Sequence, residues 1–225
     1  MAASFFISTF VWNMWEFLKE LTDPESIIKY GGMVLLLTVI FAETGLLLGF
    51  FLPGDSLVFI SGLLCATQPH LLNASVVCLV VELTIAAILG NIAGYWFGRR
   101  VGPALFSRED AFLFKKQYVS ITRDFYARHG GKTLIIGRFL PIIRTFAPIL
   151  AGVIQIGFKR FMIFNVIGAA LWISTLSLTG YYLGSAFPGI KHYLGYIVIG
   201  LIIITAIPVI RTWLRERNLH SGKKA

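Results

Sequence analysis

Gly137-Arg138-Phe139-Leu140-Pro141-Ile142-Ile143-Arg144-Thr145-Phe146-Ala147-Pro148 sets two arginines and two prolines inside an apolar run. Burial in lipid does not favour this: a charge at mid-bilayer costs about 2.5–3.5 kcal/mol even on the gentlest insertion scale. Each interior proline also removes a backbone donor. A segment that keeps such residues is a functional candidate. A second stretch answers it, Glu43-Thr44-Gly45 followed by Leu52-Pro53-Gly54-Asp55-Ser56, with acids where the first has bases.

The surrounding sequence says what the solvent is. Of 225 residues, 56% are hydrophobic and 14% charged, and the mean hydropathy is +0.77. The chain is too apolar for a soluble domain and reads as an all-α integral membrane protein. Its formal charge of +9 is unevenly spread. Residues 99–132 hold eight Lys/Arg against three Asp/Glu, and the tail from Arg211 holds five against one. Basic blocks flanking apolar spans follow the positive-inside rule, and no nucleic-acid motif accompanies them, so no nucleic-acid partner is expected. Cys65 and Cys78 lie in apolar sequence with no CxxC partner and read as packing residues. The four histidines fall in loops or the tail, so no metal site and no cofactor is implied. The first residues lack the basic start and small-residue cleavage site of a signal peptide.

The pattern divides the chain into an interfacial helix over 1–29, a first unit over 30–98, a basic amphipathic connector over 99–132 and a second unit over 133–187. A C-terminal transmembrane helix over 188–210 and a basic tail over 211–225 complete it. In the first unit an apolar run interrupted only by Glu43 leads to Pro53-Gly54, and the run after it, Leu57 to Ala66, has half the length a spanning helix needs. It is either a re-entrant hairpin, or a span from Gly31 to Leu52 with a buried half-helix behind it. Leu71 to Gly98 is long enough to span and ends in glycines at 90, 94, 98 and 102, a close-packing face. Its one acid, Glu82, is an accessory candidate. The connector opens with the capping-box pattern Ser107-Arg108-Glu109-Asp110 and carries an apolar stripe among lysines and arginines, which suits the surface of an anionic leaflet.

Parity bears on the topology. If both basic blocks are cytoplasmic, the two spans after Lys159-Arg160 place those residues in the cytoplasm too, and 133–158 must leave the membrane on the side they entered. The C-terminus is then cytoplasmic and the N-terminus outside. Glu43 precedes Pro53 by ten residues, as Arg138 precedes Pro148, and Gly94-Tyr95-Trp96-Phe97-Gly98 resembles Gly180-Tyr181-Tyr182-Leu183-Gly184. The expected fold is therefore an inverted repeat of re-entrant hairpin plus transmembrane helix, as in many secondary transporters. Pro53, Gly54, Pro141 and Pro148 are the expected hairpin bends.

In that arrangement Glu43 and Asp55 face Arg138 and Arg144, lowering the cost of all four charges. They form either a static ion-pair lock or a site, in which the arginines fork around a phosphate and the carboxylates exchange protons. A lipid phosphatase is not expected, because no histidine lies near the embedded charges, and the chain is not read as an enzyme.

The runs Phe41-Ala42-Glu43 through Pro53-Gly54-Asp55-Ser56, and Gly137-Arg138-Phe139-Leu140-Pro141 with Arg144-Thr145, Pro148, Ala151-Gly152, Phe164-Asn165, Gly168 and Trp172, resemble the DedA family of bacterial inner-membrane proteins. That family shares its core with the SNARE-associated, or VTT-domain, proteins. The resemblance implies two facing hairpins and lipid movement across the inner membrane, driven by protons or sodium. The implied cargo is undecaprenyl phosphate or a phospholipid headgroup. It places the family's arginines on Arg138 and Arg144 as substrate-binding groups, and its acids on Glu43 and Asp55 as the coupling groups. Leu48 stands where relatives often carry proline. A proton-coupled antiporter of small cations or drugs and a non-transporting scaffold are the alternatives; the oligomeric state is open.

Overall fold

The computed structural model describes residues 24–46, 54–106, 138, 141–187, 189 and 200. The expected N-terminal interfacial helix up to residue 23, Pro53, Leu48, the basic connector after 106, the C-terminal span and the tail lie outside the described residues, apart from isolated positions; residues 24–29, expected to end the interfacial helix, belong instead to the helix that runs to Gly45. Among those described, every element is helical: α1 (Pro24–Gly45), α2 (Gly54–Thr67), a 3-10 turn (Pro69–Leu71), α3 (Val76–Phe106), α4 (Pro141–Val153) and α5 (Phe158–Ala186).

Three stretches are long and apolar enough to cross a bilayer, Ile27–Gly45, Val76–Gly102 and Phe158–Ala186. Their outward faces are apolar. On α3, Val77, Val81, Ile85 and Leu89 are all at least half exposed, one turn apart, and Ile163, Ile167 and Leu171 repeat the pattern on α5. Contiguous apolar surface of this extent belongs against lipid. The interior holds Glu43, Asn91, Arg138, Arg144 and Asn165, each under 5% exposed.

Local chemistry sets the helix ends. Gly32, at φ 53° and ψ −149°, interrupts α1 in a region of backbone space that is essentially glycine's alone. Beyond it the 13 residues 33–45 reach about 20 Å at 1.5 Å per residue. α3 starts later than the sequence suggests, because Pro69-His70-Leu71 forms a tight turn and the Ser75 hydroxyl accepts from the Cys78 N–H at 3.2 Å as an N-cap. It also continues past Gly98 to Phe106, so the expected boundary at 98 falls inside a helix. α4 closes on Gln155 at φ 55°, with Ile156 N–H donating to Ala151 and Gln155 N–H to Gly152, both at 3.0 Å. This is a Schellman cap without its usual glycine.

Matched contacts fix the helix directions. α1 and α4 both run parallel to α3: Gly90 lies against Phe41 and Gly94 against Gly45, while Gly98 lies against Ile149 and Gly102 against Val153. α2 runs parallel to α5, with Gly180 against Phe59 and Gly184 against Leu63. α3 and α5 are antiparallel, since Tyr95 stacks on Phe161 while Asn91 lies near Asn165. The short helices cross their long partners in the same way. Gly62 meets the Ser177 carbonyl and Gly180 that of Phe59; Gly152 meets the Tyr95 carbonyl and Gly98 that of Ile149. At each of these positions a side chain would collide with backbone, so the glycine ladder serves close packing, as its spacing predicts. Leu57, Ile60, Leu63, Leu64, Leu79, Leu83 and Trp172 fill the core around α2. Tyr95, Ala151, Ile156 and Phe161 fill a smaller one around α4.

Candidate functional site

These directions bring three helix ends to one level. α1 ends there, while α2 and α4 begin there and run apart. Glu43 sits in the last turn of α1, Asp55 in the first turn of α2, Arg144 in the first turn of α4, and Arg138 three residues before α4. Asn91 lies at the middle of α3 and Asn165 on α5 opposite it. Helix N-termini carry partial positive charge, so α2 and α4 add their dipoles to the arginines.

Arg144 divides its guanidinium between the acids, NH2 on Glu43 Oε1 and NH1 on Asp55 Oδ1. The Trp172 ring lies 4.4 Å from the Arg144 guanidinium carbon, within cation–π range. Its indole N–H donates to Asp55 Oδ1 at 2.8 Å. Gly54 allows this convergence, because a methyl there would overlap the Glu43 carboxylate.

Arg138 is held differently. Among the described residues no carboxylate pairs with it. Its NH2 donates to Asn165 Oδ1 at 2.5 Å. The Asn91 amide lies 2.8 Å from the same Asn165 Oδ1 and, turned, directs its Oδ1 toward the Arg138 NH2 with Nδ2 2.9 Å from the Thr44 carbonyl oxygen. Asn165 Nδ2 donates to the Ile88 carbonyl at 3.3 Å. Arg138 NH1, Arg144 Nε and Glu43 Oε2 are buried without a hydrogen-bond partner. Between the two arginines lies a cavity of about 10 Å³, walled also by Asn91, Pro148, Phe161 and Asn165. That is about the room one water-sized oxygen requires.

The four charged residues singled out from sequence thus meet in one cluster. Glu82 does not join them: it is half-buried on a separate groove between α1 and α3 and accepts the Cys78 thiol at 3.0 Å. Of the expected bends, Gly54 and Pro141 start helices, and proline suits a first helical position. Pro148 is not at a bend. It lies inside α4, which continues to Val153 although the proline gives up the bond to the Arg144 carbonyl and crowds it. Cys65 is buried, as a packing residue would be, whereas Cys78 is exposed. Asn91 was not anticipated as part of the site, and Asn165 and Trp172 entered only through the family resemblance. The signal available for Asn91 was an amide in the middle of an apolar span.

The VTT domain model matches residues 31–182. Protein DedA of Escherichia coli K12 is 38% identical over 196 residues, 86% of this chain and 88% of the relative. The membrane protein ML0287 of Mycobacterium leprae is 37% identical over 203 residues, 90% and 89% of the two chains. The inner membrane protein YqjA of E. coli K12 is 33% identical over 168 residues, 74% and 73%. No solved structure matches the chain. The chain belongs to the DedA family of VTT-domain membrane proteins.

Proposed function

We propose that this protein is a lipid-phosphate translocase of the bacterial inner membrane, and not an enzyme. It would carry undecaprenyl phosphate or a phospholipid by its headgroup phosphate, coupled to protons or sodium. Arg138 carries this reading: a buried guanidinium beside a cavity, held by neutral acceptors, with an N–H group left open. The N-termini of α2 and α4 converge on the same point, the arrangement by which broken helices receive anionic groups in transporters. Phosphate docks on the arginines. Glu43 and Asp55, displaced from Arg144 by the incoming anion, take up the coupling ion and return it when the anion leaves.

The same reading makes each unit a re-entrant hairpin and a span, inverted in the second. Ile27–Gly45 has the length of a span only when counted through its break at Gly32; the uninterrupted part, 33–45, and α2 each fall short of a core about 30 Å thick, which supports the hairpin. The matched glycine contacts support the repeat and shift its register by one turn, pairing Gly98 with Gly180 and Gly102 with Gly184. The C-terminus is cytoplasmic and the N-terminus periplasmic. The test is flipping of undecaprenyl phosphate and of phosphatidylethanolamine in proteoliposomes, with and without a pH or sodium gradient. Translocation that Arg144→Ala abolishes in a folded protein is expected, and wild-type transport by that variant would refute the reading.

A further inference from the structure

We infer that Asn91 and Asn165 divide the labour between the two arginines, keeping Arg138 free of any carboxylate as the first docking cation for one anionic oxygen while Arg144 holds the acids until the anion displaces them. The inference rests on the lipid-phosphate reading and assigns roles within that site.

A guanidinium offers five N–H donors and no acceptor. Arg144 engages the two carboxylates through NH1 and NH2 and keeps only Nε open, so an anion taking its paired end must displace an ion pair. Arg138 spends NH2 on two amide oxygens, which leave its charge uncompensated, and NH1 stays open beside the cavity. Both amides are aimed by their other ends. Asn165 Nδ2 donates to the Ile88 carbonyl, which leaves its Oδ1 for Arg138; Asn91, whose amide lies 2.8 Å from that same Oδ1, presents its own oxygen to Arg138 when turned so that Nδ2 donates to the Thr44 carbonyl. Aspartate has the same shape and would convert this hold into a salt bridge, cancelling the charge that attracts the ligand. The position thus requires an acceptor that carries no charge. Thr44 adjoins Glu43, so the amide that aims Arg138 is anchored one residue from an acid that Arg144 releases.

The test uses the full chain in detergent, a short-chain polyprenyl phosphate as probe, the matching polyprenol as control, and thermal stabilisation as the measure of affinity. The wild type is expected to be stabilised by the phosphate and not by the alcohol. Asn165→Asp is expected to weaken phosphate binding at least tenfold in a protein that still folds, the donation lost to the Ile88 carbonyl being offset by the new ion pair with Arg138. Asn165→Ser, smaller but neutral, should stay within about threefold of wild type. A merely structural asparagine gives the opposite order, because the isosteric aspartate disturbs packing least. Equal or tighter binding by Asn165→Asp than by Asn165→Ser overturns the inference and leaves the lipid-phosphate reading standing. A wild type that ignores both this phosphate and a short-chain phosphatidylethanolamine overturns both. The same two substitutions at Asn91 give an independent ordering should Asn165→Asp not fold.

Discussion

Trp172 holds Asp55 from beneath Arg144, its indole N–H 2.8 Å from the carboxylate and its ring against the guanidinium. One side chain thereby orients both members of an ion pair. Trp172→Phe keeps the ring and removes the donor, and a hydrogen bond to a charged group contributes about 1.5–3 kcal/mol. The variant should lose about that much stability in denaturant unfolding in detergent, with Trp172→Ala losing more. A Trp172→Phe protein as stable as wild type would show that the indole N–H contributes nothing.

Removing Arg144 alone leaves the buried Glu43 carboxylate, at 1% exposure, without its cation beside the half-buried carboxylate of Asp55, whose side chain is 17% exposed. Breaking a buried pair on one side costs about 3–5 kcal/mol, whereas replacing all partners with neutral groups is often close to neutral. Arg144→Ala should therefore melt well below wild type. Arg144→Met combined with Glu43→Gln and Asp55→Asn should recover most of the loss and none of the transport. A triple variant less stable than Arg144→Ala would contradict this account.

The helix crossings make a sharper prediction. A methyl at Gly62, Gly98, Gly152 or Gly180 meets backbone atoms of the partner helix, which cannot move aside as a side chain can. Alanine at any of them should cost about 1–3 kcal/mol through overpacking. Gly157 has nothing within 4 Å of such a methyl and serves as the control, expected within about 0.5 kcal/mol of wild type. Comparable losses at Gly157 and Gly98 would argue against packing as the cause.

Gln155 holds the left-handed position of the α4 cap at φ 55°. That conformation costs an L-residue about 1–2 kcal/mol, part of which glycine returns as entropy in the unfolded chain. Gln155→Gly should raise stability by about 0.5–1 kcal/mol with transport unchanged. A destabilised variant would mean that the glutamine side chain contributes to the turn.

The parts of this architecture with strong local cost were legible in the residues. Four charges in apolar sequence named the cluster, since nothing but mutual pairing or function retains them in lipid. The glycine spacing named the close-packed faces. Residues whose cost is small, or whose position depends on tertiary contact, were not legible. Asn91 is a modest polar interruption in α3, and only the arrival of Arg138 from 47 positions later in the chain gives it meaning. Glu82 resembled Glu43 in sequence, yet its place on α3 turns it away from the cluster, and a thiol one turn back donates to it. Pro148 shows the limit of reading proline as punctuation: its neighbours in α4 keep enough hydrogen bonds for the helix to run through it.

The backbone-to-backbone glycine crossings also decide how the molecule can divide. α4 is locked to α3, which also carries α1 through Gly45 and Gly90, while α2 is locked to α5. Between these two blocks the contact is the apolar core around α2, made of side chains rather than of glycine crossings. Parting the blocks there separates Arg144 from Asp55 and leaves Arg144 with Glu43, which travel together on the same block. Opening along that contact gives the two acids different fates. One remains neutralised, and the other is released as a bare carboxylate together with the tryptophan that held it.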